Sequence, residues 1–146
     1  MGRSAFRLNR SVLALAVAAV GGVAISASAR AADQVDFNKD IKPIFKESCI
    51  RCHQVTEQHK KASAGFRLDS RAAALKGGEN GKDKDIIPGN GKDSVLYKLL
   101  LGSVNVDGED VDAMPKPKKG EKFKALPDAK IELIKKWIDQ GAKWSD

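Results

Sequence analysis

Only two cysteines occur in the 146 residues of this chain, and they stand three positions apart with a histidine directly after the second: Cys49-Ile50-Arg51-Cys52-His53. No other feature constrains the fold as much. The spacing C-x-x-C-H is the attachment signal for a c-type haem. Each thiol adds to one vinyl group of the same porphyrin, and the histidine is then held beneath the iron as an axial ligand. A chain built on such a motif wraps a large flat group instead of filling its interior with side chains alone. Aromatic residues make up only 5% of the sequence, in keeping with a core completed by a prosthetic group.

The N-terminus says where that chemistry takes place. Residues 1–10 carry Arg3, Arg7 and Arg10 with no acid, residues 11–25 are an almost unbroken run of Val, Leu, Ala and Gly, and residues 26–32 are small apart from Arg30. That is the order of a secretory signal peptide, with cleavage expected after Ala31 or after Ala29. A membrane-spanning helix needs about 20 predominantly apolar residues, and this stretch is shorter and interrupted by Gly21 and Gly22. The expected product is a periplasmic protein with no membrane segment after cleavage of residues 1–31.

Cleavage also changes the charge argument. The net charge of +7 comes from 26 basic and 19 acidic residues; losing four arginines with the leader leaves 22 basic residues and a net +3. The basic balance therefore belongs mostly to the targeting segment, and nucleic acid is not an expected partner. What remains uneven is distribution: Lys116, Lys118, Lys119, Lys122 and Lys124 crowd into nine residues opposed only by Glu121. A charge run of this kind is either a solvated loop or a docking face for an acidic redox partner.

The rest of the chain reads as one domain of short helices and long polar loops. Phe37, Ile41, Ile44 and Phe45 form a one-sided stripe leading into Cys49. Asp36 caps a helix that bends at Pro43, or Asp40 is the cap and Pro43 lies in the first turn; the second is preferred for the regular part. Residues 70–76 make a short helix between the acidic cap Asp69 and Gly77-Gly78. Asp93 or Ser94 starts a third through Val95, Leu96, Leu99 and Leu100, ending at Gly102. Ile131, Leu133, Ile134, Trp137 and Ile138 give the last helix a wide apolar face, with Asp128 at its start and Gly141 at its stop. No stretch alternates long enough to argue a sheet, so the expected class is all-α.

Several short motifs follow one another in a telling order. Phe37-Asn-Lys-Asp40-Ile-Lys-Pro43-Ile precedes Cys49 to His53, and Phe66-Arg-Leu-Asp69, Pro88-Gly89, Ser94-Val-Leu-Tyr97, Met114-Pro115 and Trp137-Ile-Asp-Gln-Gly141-Ala come after. This series resembles the small cytochrome c-type domain family first catalogued in planctomycetes, a branch of the class I cytochrome c fold. The resemblance covers about residues 35–144, so residues 32–146 are expected to form one cytochrome c-type domain. It implies terminal helices crossing beside a haem that sits in a crevice with one edge exposed. One departure is Lys116 after Met114-Pro115, where the family pattern has a second proline.

Coordination can be argued from the residues themselves. His53 takes one axial position of the iron by its placement. The other is open to Met114, His59, a lysine or nothing, and Met114 is preferred: it is the only methionine left after cleavage and lies 61 residues past His53, enough chain to pass around a macrocycle. Its neighbourhood is charged and proline-rich, where a methionine filling a core gap is unexpected, and His/Met ligation is a known arrangement for electron-transfer haems. His59 is the weaker candidate, only six residues beyond His53. Arg67, Arg71, Tyr97 and Trp144 are candidate partners for the haem propionates, and the Ile86-Ile87-Pro88-Gly89 turn is a candidate acceptor for the second ring N–H of His53. The acidic clusters around Glu79–Asp85 and Asp107–Asp112 lack the spacing of a calcium loop and read as solvated.

The expected function is a monohaem c-type cytochrome acting as a monomeric one-electron carrier, not an enzyme, with haem c held by Cys49 and Cys52 and ligated by His53 and Met114. An alternative is a haem sensor or peroxidase-like protein with a displaceable sixth ligand. A further one is a non-haem protein in which Cys49, Cys52, His53 and His59 bind zinc or the cysteines cycle as a dithiol.

Overall fold

Pro43 shapes the first element of the computed structural model, which describes residues 33–145. The signal peptide expected over residues 1–31 lies outside the described residues. Proline has no N–H to offer the carbonyl four residues back. The turn before it, Phe37–Ile41, is wide, with the amide of Lys42 donating to the Phe37 carbonyl. Regular helix follows as α1, Lys42–Ser48, with Pro43 in its first turn. The cap of the wide turn is Asp36, whose side chain accepts from the Lys39 amide at 2.9 Å, while the Asp40 carboxylate reaches back to the Asp36 amide at 2.8 Å; α1 itself has no side-chain cap. The preferred Asp40 cap is thereby corrected: Asp40 is the reciprocal member of a capping pair that Asp36 opens.

Three more helices follow. Helix α2, Arg71–Lys76, is capped by the Ser70 hydroxyl, which accepts from the Ala73 amide. The acidic cap expected at Asp69 is not used, because that carboxylate pairs with Arg67 at 2.8 Å. Helix α3, Val95–Leu101, ends at Gly102, and α4, Asp128–Asp139, is followed by Gly141 at φ +97°. Such a φ suits glycine because a Cβ strains it. Buried Ser94 sits just ahead of α3, where its hydroxyl accepts from the Ile87 amide and donates to the Asn90 carbonyl, both at 2.9 Å.

The two ends of the chain meet. Helix α4 packs against the Phe37–Ile41 turn and against α3. Trp137, only 1% exposed, has Phe37 at 5.8 Å, Phe45 at 5.7 Å and Trp144 at 5.1 Å between ring centroids. Its indole N–H donates to the Lys143 carbonyl at 2.7 Å, so the ring is buried without an orphaned donor. Gln140 clasps the N-terminal segment, accepting from the Val35 amide at 2.8 Å and donating to the Asp33 carbonyl at 2.9 Å. Lys130 pairs with Glu47 at 2.7 Å, and Lys136 pairs with Asp33. The terminal segments that the family resemblance implies to cross are in contact.

The all-α expectation needs correction. The fold is helix-rich, but Val104–Val106 (β1) and Glu109–Val111 (β2) pair antiparallel, with Val104 opposite Val111 and Val106 opposite Glu109. The tip is Asp107-Gly108, at φ +51° and +97°, a conformation that a tight hairpin turn requires and that Asp-Gly supplies. Three-residue strands are too short for alternation to show in a sequence. The hairpin brings its own small core: Val106 and Val111 bury themselves with Val95 and Leu99 of α3, apart from the main core of Phe37, Ile41, Phe45, Leu96, Leu100, Ile134 and Trp137.

Candidate functional site

The Cys49–His53 loop continues directly from α1. The Cys49 amide still bonds the Phe45 carbonyl at 2.8 Å, and the Cys49 carbonyl accepts from Cys52 at 3.1 Å and from His53 at 3.0 Å. This helix-like turn places residues at i, i+3 and i+4 on one side, and all three side chains line the same cleft. The cleft has a volume of about 240 Å³ and is walled mainly by apolar groups, among them Phe66, Leu68, Leu96, Leu99, Leu100 and Val111. Met114 also lines it. Of the residues singled out by sequence, the structure therefore brings Cys49, Cys52, His53 and Met114 together.

His53 is held in one tautomer. Its Nδ1 lies 3.0 Å from the Phe66 carbonyl oxygen. A carbonyl only accepts, so the proton is on Nδ1 and the lone pair is on Nε2. Two further bonds lace the same segments together, Ser63 amide to Cys52 carbonyl at 2.9 Å and Leu68 amide to His53 carbonyl at 2.8 Å. The Phe66 ring stands edge-on to the imidazole at 5.5 Å. Burial holds the imidazole below its ordinary pKa, partly opposed by the Phe66 bond and by the charge of Asp85. A neutral ring with one free, fixed nitrogen is the state in which histidine binds a metal. The acceptor expected from the Ile86–Gly89 turn is thus corrected to Phe66, in the loop before α2.

The thiols are both free and differ in setting, Cys49 half-buried and Cys52 exposed. Burial pushes the Cys49 thiol up to about 12, with Cys52 adding to the shift. Dithiols that cycle depend on a depressed pKa, so this setting argues against a redox-active pair. Among the described residues no three His, Cys, Asp or Glu side chains converge as a metal cage requires. His59 lies on an exposed loop, its amide on the Thr56 hydroxyl at 3.0 Å, and is not part of the cleft. The donor set of this cleft is instead the one that fits a haem: two thiols at attachment spacing, an oriented imidazole nitrogen, a thioether and apolar walls.

Met114 belongs to the loop after β2. Its amide donates to the Leu99 carbonyl at 2.8 Å, and the Met114-Pro115 peptide is cis. From the Cys49–His53 side, the Arg51 guanidinium donates to the Lys116 carbonyl at 3.2 Å, tying the two loops together at the cleft.

One further residue of the cleft carries a signal that sequence reasoning passed over. Asp85, read as part of a solvated acidic cluster, is only 6% exposed and lines the cleft. Its carboxylate accepts from the Gly78 amide at 2.7 Å, and a Cβ on Gly81 would come within 2.0 Å of its Oδ1. Burial raises the carboxyl above its ordinary pKa, with the Gly78 bond and His53 acting the other way. The only sequence hint was the glycine spacing: Gly78 and Gly81 leave room that larger residues would take. The proposed propionate partners sit elsewhere. Arg67 grips Asp69 at 2.8 and 2.9 Å, the Tyr97 hydroxyl donates to Glu132 at 3.0 Å, Trp144 stacks on Phe37 at 4.3 Å, and Arg71 is exposed. None of the four lines the cleft.

No curated protein and no solved structure matches the chain. Residues 49–118 match the family described as Planctomycete cytochrome C, a span that runs from the first cysteine of the motif through the β-hairpin and Met114. Together with a cleft whose donors suit haem c, that match supports reading this segment as a planctomycete-type cytochrome c domain, a family whose members bind haem.

Proposed function

We propose that the protein is a periplasmic, monomeric, monohaem cytochrome that carries single electrons between partner proteins rather than catalysing a reaction. The observation that carries this reading is the convergence of Cys49, Cys52, His53 and Met114 on one apolar cleft, with the His53 tautomer fixed by the Phe66 carbonyl. Cys49 and Cys52 would hold the porphyrin through thioether bonds, and His53 through Nε2 and Met114 through its sulfur would bind its iron. When bound, the haem supplies a one-electron iron couple whose potential a thioether ligand raises. The chain's part is to hold, orient and keep dry: the Phe66 carbonyl raises the basicity of the imidazole, and Leu96, Leu99 and Leu100 exclude water from the cleft. A single C-x-x-C-H motif corresponds to one haem.

Two further features fit a carrier. Residues 1–31 have the pattern of an export signal, and haem is attached to exported apocytochromes in the periplasm. Lys116 lines the cleft, and Lys118, Lys119, Lys122 and Lys124 are all exposed on the segment that follows. A predominantly basic segment beside the cleft, in which Lys116 pairs with Asp112 and Glu121 is the one acid, would steer an acidic partner by its field, at a rate that falls with salt.

The test is the protein expressed with its leader in a host that matures c-type cytochromes. The expected product has the intact mass of the cleaved chain plus one haem and a low-spin c-type spectrum in both redox states. Met114→Ala is expected to lower the potential and admit cyanide or CO rapidly. A colourless product refutes the haem reading. A wild-type spectrum that is already high-spin, with fast CO binding, refutes the carrier and favours a displaceable sixth position.

A further inference from the structure

Met114 lies in the longest stretch of the described chain that contributes nothing to the floor of the main core. Between Leu100 and Leu126 no buried member of that core occurs; Met114 touches it only from a half-buried position. What anchors this stretch is the hairpin's own cluster, in which Val106 and Val111 pack on Val95 and Leu99 of α3 and Met114 packs against the group. Few other bonds cross to the body: the Met114 amide to the Leu99 carbonyl at 2.8 Å, Arg51 to the Lys116 carbonyl at 3.2 Å, and Lys84 to Asp107 at 2.8 Å. The ion pair is more than half exposed on both sides, a weak tie. Inside the stretch, the strands are closed by Asn105 on Asp110 at 2.8 Å and by the Gly108 amide on Asn105 at 3.0 Å. Leu99 and Val111 belong at once to the cluster and to the cleft wall, so the packing of the hairpin reaches the place where Met114 stands.

We infer that the β1–β2 hairpin is the positioning element for Met114, a separately opening unit whose small core sets how firmly the thioether is presented to the cleft, with Val106 as its key residue. The inference rests on the ligation reading above and goes beyond it. Local units with little apolar packing open at lower free energy than the global fold. If the sulfur leaves only when the hairpin loosens, any change that weakens the hairpin core eases entry of an external ligand by the same factor. A change in the main core does not.

Val106 is 7% exposed and absent from the cleft wall, so Val106→Ala loosens the hairpin without altering the lining. Gly108→Ala strains the turn at φ +97° on the exposed tip and leaves every buried contact in place, which keeps the test available should Val106→Ala fold poorly. Ile134→Val, in the fully buried α4 face, is the control for general destabilisation. The measurement is imidazole titration of the ferric, haem-loaded protein. Loss of two buried methyl groups in Val106→Ala corresponds to an apparent affinity gain of about tenfold. Gly108→Ala is expected to give a gain of about fivefold, and Ile134→Val to stay within about twofold of wild type. Placed on a Met114→Ala background, the two hairpin substitutions are expected to have no further effect. Hairpin variants indistinguishable from Ile134→Val overturn the inference alone. A Met114→Ala variant with wild-type imidazole affinity overturns the ligation reading, and the inference with it.

Discussion

Gly78 sits where three parts of the cleft meet, and replacing it with alanine tests whether the grip on His53 is as tight as the geometry says. A Cβ at this position would lie 2.6 Å from the Ala64 carbonyl oxygen, 2.7 Å from the Phe66 Cβ and 2.9 Å from the Phe66 amide nitrogen. Two of these are backbone atoms, which cannot swing aside as a side chain can. The Ala64 carbonyl also accepts from the Glu79 amide at 2.6 Å, so moving it strains that bond too. Overpacking of this kind costs about 1–3 kcal/mol. Against it stands a gain of about 0.4–1 kcal/mol from the stiffer unfolded chain, leaving a net loss of about 1–2 kcal/mol. With a urea dependence of about 1–2 kcal/mol per molar for a domain of this size, the midpoint falls by roughly 1 M. The displaced group is Phe66, whose carbonyl holds His53 Nδ1; a looser bond makes the imidazole a poorer donor, so the reduction potential is expected to rise. Gly102→Ala is the control, because that glycine is extended at φ 170° and a Cβ there meets nothing within 4 Å. Urea unfolding and voltammetry of the haem-loaded protein measure both effects. If Gly78→Ala matches Gly102→Ala in midpoint and potential, the close packing of the Gly78 and Phe66 segments is not what fixes His53.

Trp137→Ala removes the centre of the aromatic contact between the chain ends and is expected to cost about 3–5 kcal/mol, read by denaturant unfolding. Asp139 is held below the usual carboxylate range by its bond from Lys135, and by its bond from the Gly91 amide at 2.6 Å. A depressed acid contributes stability that is present above its unfolded pKa and lost as pH falls through its folded one. Asp139→Asn is therefore expected to be destabilised at neutral pH, and its unfolding midpoint to converge with wild type once the acid range below the ordinary carboxylate pKa is passed. Asp85→Asn removes a carboxyl buried in the cleft wall while leaving an acceptor for the Gly78 amide, so the ferric state loses a favourable charge; the reduction potential is expected to rise, and an unchanged value means the group is neutral in the folded protein.

What could be read from the chain alone was whatever depends on neighbours in sequence. The Cys49–His53 motif is legible because attachment and ligation need those residue types at that spacing, and the α4 face is legible because five apolar residues recur at helical period. The starts of the first element and of α2 were harder, since each offered two cap-forming side chains, Asp36 and Asp40 at the first and Asp69 and Ser70 at the second. At α2 the choice fell to Ser70 because Arg67 had already engaged Asp69, a pairing that no propensity reveals. The hairpin escaped notice because each strand is three residues long and its valines serve a core completed by α3.

The parts of the site that stayed hidden share one physical character: they are made by backbone, or by room left for it. The acceptor for His53 is a carbonyl, which every residue possesses, so nothing in the identity of Phe66 announces it. Asp85 looks like any acid in a polar loop until the amide of Gly78 and the missing side chain of Gly81 enclose it. Met114 was legible as a candidate ligand by elimination, but not what presents it. Met114 packs against two cores of different size, and that division bears on the carrier role proposed above. The main core packs α1, α3 and α4 together, and the histidine loop continues from α1 with its own backbone bonds, the side on which the proposed carrier role calls for small reorganisation. The thioether side rests also on the smaller core, where replacing Val106 is expected to change the hold on Met114 while leaving the main core in place. A chain arranged in this way can have its ligand strength altered in evolution, or in the laboratory, at positions that never contact the cofactor.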